Sequence, residues 1–124
     1  MRVFKTKAFA RFVRREGLAD TSLIEAANRA GKGLIDADLG GGLIKQRVAR
    51  TGQGRRGGYR MLLAFRAGDR TIFLFGFAKS ERDNIDTEDL ALARDIAGSW
   101  LSADAKQIAR AVSDGLLIEV SHAG

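Results

Sequence analysis

Between Leu43 and Phe77 lie three successive runs of strand length, the first alternating apolar and polar residues, and a period of two constrains the fold more than any other feature. Leu43 to Arg50 places Lys45 and Arg47 on one side of a strand, with Ile44, Gln46 and Val48 on the other. Tyr59 to Phe65 sets Tyr59, Met61, Leu63 and Phe65 against Arg60, and Thr71 to Phe77 follows across a short turn at Gly68-Asp69. Strands joined so closely are antiparallel, so the middle of the chain is expected to be an antiparallel meander. Tyr59 shares the parity of Met61 and Leu63, which assigns it to core packing ahead of base stacking; Phe73, Phe75 and Phe77 are likewise read as core.

The flanks follow a helical period. After a short strand at Arg2 to Lys5, Ala8, Phe9, Phe12 and Val13 form the stripe of a helix over about Thr6 to Arg15, ended by Gly17. A second helix carries Leu23, Ala26, Ala27 and Ala30; its start is expected near Asp20 to Ser22, with Ser22 and Glu25 as a capping box. The two helices form a hairpin against something apolar, and Leu34 to Gly42, with two aspartates and three consecutive glycines, reads as a connector. Beyond the meander Asp86 caps a helix striped by Leu90, Ala93, Ile96, Ala97 and Trp100. Ser102 caps a last helix with Ile108, Ala109 and Val112, ended by Gly115, and Leu116 to Val120 offers a short edge strand. Strand, two helices, three antiparallel strands, then helices make an α+β domain.

A chain of 124 residues with 45% hydrophobic content suits one compact domain spanning residues 1–124. It contains no cysteine, which removes disulfides, thiolate metal sites and cysteine nucleophiles; the single histidine, His122, removes a Ser-His-Asp triad and His-rich metal sites. No cofactor or metal is expected. The longest apolar run, Ile72 to Ala78, falls far short of the roughly 20 residues that span a bilayer. Met1 to Lys5 has no signal-peptide core, so a cytoplasmic protein is the expectation, with no membrane partner.

Charge narrows the function. Lys45, Arg47, Arg50, Arg55, Arg56, Arg60 and Arg66 lie between Asp38 and Asp69 with no acid among them, whereas the remaining 14 bases face 15 acids. An excess concentrated in this way fits a polyphosphate partner, because neutralising phosphates releases counterions and steers encounter. Gly52-Gln53-Gly54-Arg55-Arg56-Gly57 fits the G-x-G-x-x-G string, but a strand follows it where a dinucleotide site needs a helix. The plainer reading is a glycine-rich hairpin loop, Thr51 to Gly58, from which Arg55 and Arg56 reach a phosphate chain. Asp83, Asp86, Glu88 and Asp89 crowd ahead of an apolar helical stripe, where capping explains them better than a metal does.

Three segments carry a family resemblance: Gly40-Gly41-Gly42-Leu43-Ile44-Lys45-Gln46-Arg47-Val48-Ala49, then Gly52 to Arg60, then Gly76-Phe77-Ala78-Lys79-Ser80-Glu81-Arg82-Asp83-Asn84-Ile85. Together they resemble the RelE/HigB-like branch of the RelE/ParE superfamily of bacterial type II toxins, over nearly the whole chain. The resemblance implies a helical hairpin against a twisted antiparallel sheet. It also implies an endoribonuclease (mRNA interferase) that cuts messenger RNA on the ribosome without a metal and inhibits translation. Lys45, Arg47, Arg60 and Lys79 match the catalytic bases, and Arg50, Arg55, Arg56 and Arg82 are the expected RNA-backbone contacts. Ser80 stands where RelE has another arginine, and Ile85-Asp86 where its helix supplies a tyrosine. The implied partners are the messenger, the ribosome and a cognate antitoxin, often a helix-turn-helix DNA-binding protein. The alternatives within reach of the same sequence are a ParE-like gyrase inhibitor, a non-catalytic nucleic-acid-binding module and an inactive relic.

RNA brings its own nucleophile, the 2′-hydroxyl, so cleavage needs in-line geometry, removal of one proton, charge stabilisation and protonation of the leaving oxygen. Arginines stabilise the charge through paired donors, and like-charge crowding lowers a lysine pKa towards useful values. Arg47 and Arg60 are therefore assigned to the phosphate, with Lys45 or Lys79 as base or acid.

Overall fold

The computed structural model describes residues 1–50, 54–79 and 85–120, and of residues 50 and 54–57 the backbone alone. The chain runs β1 (Arg2–Thr6), α1 (Lys7–Glu16), α2 (Asp20–Gly31), β2 (Ala37–Gly40), β3 (Leu43–Arg50), β4 (Gly54–Arg66), β5 (Arg70–Ala78), α3 (Thr87–Ser102), α4 (Ala105–Ser113) and β6 (Leu117–Glu119). The strands form one sheet in the order β2-β3-β4-β5-β1-β6, antiparallel throughout except where β1 runs parallel to β5. This is the expected α+β architecture, with helices on both faces of the sheet.

Strand parity decides which helices cover which face. On one side Ile44, Val48, Tyr59, Met61, Leu63 and Phe73 pack with Phe9, Phe12 and Val13 of α1 and Leu23, Ala26, Ala27 and Ala30 of α2. On the other, Leu43, Leu62, Ala64, Ile72 and Leu74 pack with Ala93, Ala97 and Leu101 of α3 and with Ile108 and Ala111 of α4. Tyr59 is 2% exposed and meets Phe12 edge-on at 5.6 Å between ring centroids, so it belongs to the core.

Several local expectations are corrected. The segment read as a connector contains β2, which pairs with β3 from Ala37 opposite Lys45 to Gly40 opposite Leu43. Gly40, Gly41 and Gly42 all take positive φ, and this left-handed backbone is why the hairpin needs three glycines in a row. β4 begins at Gly54, opposite Arg50, so Arg55 and Arg56 lie within a strand rather than in a loop. The three phenylalanines of β5 do not share a face. Leu63 opposes Phe73 while Leu62 opposes Phe75, and the extra residue Leu74 reverses the alternation, placing Phe75 on the α3 side.

Caps shift too. α2 starts one turn before the expected Ser22-Glu25 box, with Ala19 as its N-cap and no side-chain bond, and Asp20 instead pairs with Lys5 at 3.3 Å. The last helix is capped by Asp104 in a full capping box with Gln107, whereas Ser102 closes α3 by donating to the Ser99 carbonyl. Its inner residues are Ile108 and Ala111; Ala109 faces outward. Asp86 caps α3 as expected, accepting from the Asp89 amide.

Candidate functional site

The β3–β4–β5 register assembles the predicted cations. Arg47 stands directly opposite Arg60, which stands opposite Phe77; one row along, Lys45 opposes Leu62, which opposes Phe75. Directly opposed residues project from the same face, so Lys45, Arg47 and Arg60 all lie on the α3 side of the sheet. Lys79 follows β5 immediately, its amide bonded to the Gly58 carbonyl at 3.1 Å, which fixes its backbone one step beyond the Arg60–Phe77 row. Their surroundings differ: Arg47 and Lys79 are exposed, Lys45 is half-buried and Arg60 is only 4% exposed. Among the described residues no carboxylate forms an ion pair with Arg47 or Lys79.

Arg47 is held by its backbone. Its amide donates to Asp36 Oδ2 at 2.7 Å, and its carbonyl accepts from Arg29 Nη2. Arg29, 11% exposed in its side chain, also contacts Asp36 at 3.5 Å and Glu25 at 2.9 Å. The two side chains stand just ahead of the start of β2 and satisfy the groups that an earlier strand residue would have taken. On the opposite parity Gln46 is fully buried. Its Nε2 donates to the Ala26 and Leu34 carbonyls at 3.1 Å each, and its Oε1 accepts from the Asp36 amide at 2.9 Å. Sequence reading passed over these supports; the available signal was a glutamine among apolar residues on the core-facing parity of β3.

Beside the cations lies a cavity of about 370 Å³, lined by Leu62, Phe75, Gly76, Phe77, Ile85, Asp89 and Leu92. Its floor is the cross-strand partners of Lys45 and Arg60, and its far wall is the first turns of α3. The aromatic floor comes from the Leu74 bulge, which turned Phe75 towards this side.

Of the expected RNA-backbone contacts, Arg50, Arg55 and Arg56 are placed by backbone alone, at the paired ends of β3 and β4. Arg82 lies outside the described residues. Of the carboxylates weighed as a metal site, Asp83 lies outside them as well, and Asp86 is occupied as a helix cap. Among the described residues no group of three or more His, Cys, Asp or Glu side chains is arranged to hold a metal ion, and no helix is long and apolar enough to cross a membrane.

No curated protein sequence matches the chain. Over residues 1–120 it matches the family described as the RelE toxin of the RelE / RelB toxin-antitoxin system. That span takes in every strand and helix of the described residues together with Lys45, Arg47, Arg60 and Lys79, so the chain belongs to the RelE toxin family, the toxin of a toxin-antitoxin pair whose partner is an antitoxin.

Proposed function

We propose that this toxin is a metal-independent endoribonuclease of the HigB-like kind that cuts messenger RNA on the ribosome and thereby stops translation. The observation that carries the reading is the Arg47–Arg60 row, two guanidiniums from adjacent strands on one face, flanked by a lysine on each side. Arg60, enclosed, is the fixed charge beneath the phosphate; Arg47, exposed and anchored by its backbone, closes on it from the open side. The 2′-oxygen attacks the adjacent phosphorus, the bond to the 5′-oxygen breaks, and the products are a 2′,3′-cyclic phosphate and a 5′-hydroxyl. Lys45 or Lys79 takes the proton from the 2′-hydroxyl, and the other donates one to the 5′-oxygen. The arginines stabilise the doubly charged phosphorane between them. Phe75 and Phe77 give the neighbouring base an apolar floor.

Mapping RNA ends after induction tests this. Wild type should arrest growth and yield discrete ends bearing 5′-hydroxyls, and Lys45→Ala together with Arg60→Ala should abolish both. Because Arg60 is enclosed, Lys79→Ala, at an exposed position, is the control for folding and should lower cleavage with an unchanged circular dichroism spectrum. Intact cleavage in the double variant sinks the assignment. Accumulated gyrase–DNA breaks without RNA ends would mark a gyrase inhibitor; salt-sensitive RNA binding without cuts or growth arrest would mark a binding module.

A further inference from the structure

The cavity beside the cations has an apolar floor and one charged wall. Of the described residues that line it, Leu62, Phe75, Phe77, Ile85 and Leu92 present hydrocarbon or aromatic surface and Gly76 has no side chain, so Asp89 supplies the only polar side chain. Its amide is taken by the Asp86 cap at 2.9 Å, which fixes it in the first turn of α3, three residues before Leu92 on the same face. Glu88, beside it, is exposed and is not among the lining residues. Both acids suit the positive end of the helix, but that role asks nothing of the direction a carboxylate takes. An acid beside a phosphate-binding row also repels RNA, so Asp89 weakens binding unless the substrate brings hydrogen-bond donors to it.

Floor and wall meet a nucleobase in different ways. Leu62 and Phe77 are the cross-strand partners of Lys45 and Arg60, so the base next to a phosphate held on the Arg47–Arg60 row reaches this floor. A base lying flat on Phe75 and Phe77 turns its edge to α3. There an ionised carboxylate offers two oxygens side by side, which only accept. Guanine alone among the four bases answers with two adjacent donors, N1–H and the 2-amino group. Adenine and cytosine place an acceptor next to their one amino group, and uracil sets its N3–H between two carbonyl oxygens. Each of these brings a lone pair against Asp89. A carboxylate has room for about four hydrogen bonds, so the contacts Asp89 makes within the protein leave it able to accept from a base as well. The volume, about 370 Å³, is at the small end for ligand pockets and suits a single base.

We propose that this cavity is a guanine pocket, in which Asp89 accepts from N1 and N2 of the base beside the scissile phosphate and so sets where the messenger is cut. The assignment rests on the reading of the Arg47–Arg60 row as an RNA site and adds base choice to it. That choice is largely exclusion: Asp89 lowers affinity for RNA at large and restores it where guanine stands. A basic protein segment would also satisfy a carboxylate. Lys45, Arg47, Arg60 and Lys79 beside the cavity repel such a segment, however, whereas they attract a phosphate chain.

The probes are fluorescein-labelled, 2′-O-methylated oligouridines with one central guanosine, adenosine or cytidine, which bind without being cut, beside the same sequences as unmodified RNA. Wild type should bind and cut the guanosine RNA about tenfold or more better than the others, the scale of one bidentate base contact. Asp89→Asn, of the same shape at an exposed position, turns one acceptor into a donor; guanosine should lose its advantage, and adenosine and cytidine should gain it. Glu88→Gln removes the neighbouring charge outside the cavity and should leave the order of bases unchanged. Circular dichroism checks that both variants fold. Equal binding of all the RNAs, a guanosine preference that survives Asp89→Asn or disappears in Glu88→Gln, or no binding of any RNA each overturns the proposal. Guanosine preference in binding with no cut in the unmodified RNA overturns the nuclease reading and leaves the pocket standing; cuts made without regard to base do the reverse.

Discussion

On the α1/α2 side of β3 and β4, the positions Ile44, Gln46, Val48, Tyr59 and Met61 are all closed over. On the reverse side Lys45, Arg47 and Arg60 occupy the intervening positions, and the cover of α3 gives way to a cavity. The same strands are thus scaffold on one face and candidate site on the other, and the switch happens between adjacent residues. A period of two makes this economical: the side chains that fix the register of β3 and those proposed to meet the RNA alternate along one backbone. Even the polar glutamine on the scaffold side serves packing, since its three hydrogen bonds tie β3 to α2 and to the entry of β2.

Neighbouring substitutions at Gln46 and Arg47 break the comparison if it is wrong. Arg47→Ala removes an exposed side chain but leaves its backbone bonds, so stability should change by no more than about 0.5 kcal/mol while RNA cleavage falls on the order of a hundredfold or more. Gln46→Leu leaves the Asp36 amide and the Leu34 carbonyl without their buried partner and should cost about 2–4 kcal/mol in urea unfolding. Its cleavage per folded molecule should stay near wild type. If Gln46→Leu proved as inactive as Arg47→Ala at full stability, the two faces would not be separate.

How far this division was legible follows from the same residues. Alternation alone put Lys45 and Arg47 opposite Gln46, and placed Arg60 against Tyr59 and Met61. It failed in β5, because one extra residue at Leu74 inverts the parity and a bulge leaves no mark in a string of apolar residues. β2 escaped notice because Asp, Gly and a four-residue length carry turn chemistry and no period. The basic outer face of α1, formed by the exposed Lys7, Arg11, Arg14 and Arg15, leaves no mark for a different reason: along the chain the bases of residues 2 to 15 are balanced by acids that the fold places elsewhere, several of them at the capped ends of α3 and α4. The contacts of Arg29 and Arg70 join residues too far apart for any local pattern to show.

Arg70 sharpens the comparison on the α3 side, with a smaller effect. Its Nη1 donates to the Trp100 carbonyl at 2.9 Å and the Ala103 carbonyl at 2.7 Å, placing a cation at the C-terminal end of α3 with only 14% of its side chain exposed. Arg70→Ala should cost about 2 kcal/mol, measured by urea unfolding, with Arg70→Lys recovering part of it. At this end α3 is cover, whereas its first turns line the cavity beside the cations. Cleavage per folded molecule should therefore be unchanged; a loss of activity at full stability would mean that the whole helix, not its first turns, belongs to the site.

The smallest effect concerns Arg2, a cation treated oppositely to Arg47 on the same face of the sheet. Arg2 donates through Nε and Nη2 to both carboxylate oxygens of Glu119, at 2.9 and 3.0 Å, and lies 4.7 Å from the centre of the Phe4 ring. The hydrogen bonds from Arg2 hold the Glu119 carboxyl below its ordinary value, with burial opposing the shift slightly and the positive charge adding to it. A depressed folded-state pKa contributes stability that is present above the unfolded value and lost as pH falls through the folded one. Both groups are largely exposed, so the contribution should be at most about 1 kcal/mol. Comparing wild type with Glu119→Gln by urea unfolding should show that small gap at pH 7 and none once the medium is acid enough to protonate Glu119. Salt should shrink the same gap at pH 7, and should leave Arg47→Ala with the stability of wild type, because Arg47 has no carboxylate to lose among the described residues. A gap that persisted in acid would show that Glu119 acts through packing of β6 rather than through its charge, and Arg2 would no longer serve as the neutralised counterpart of Arg47.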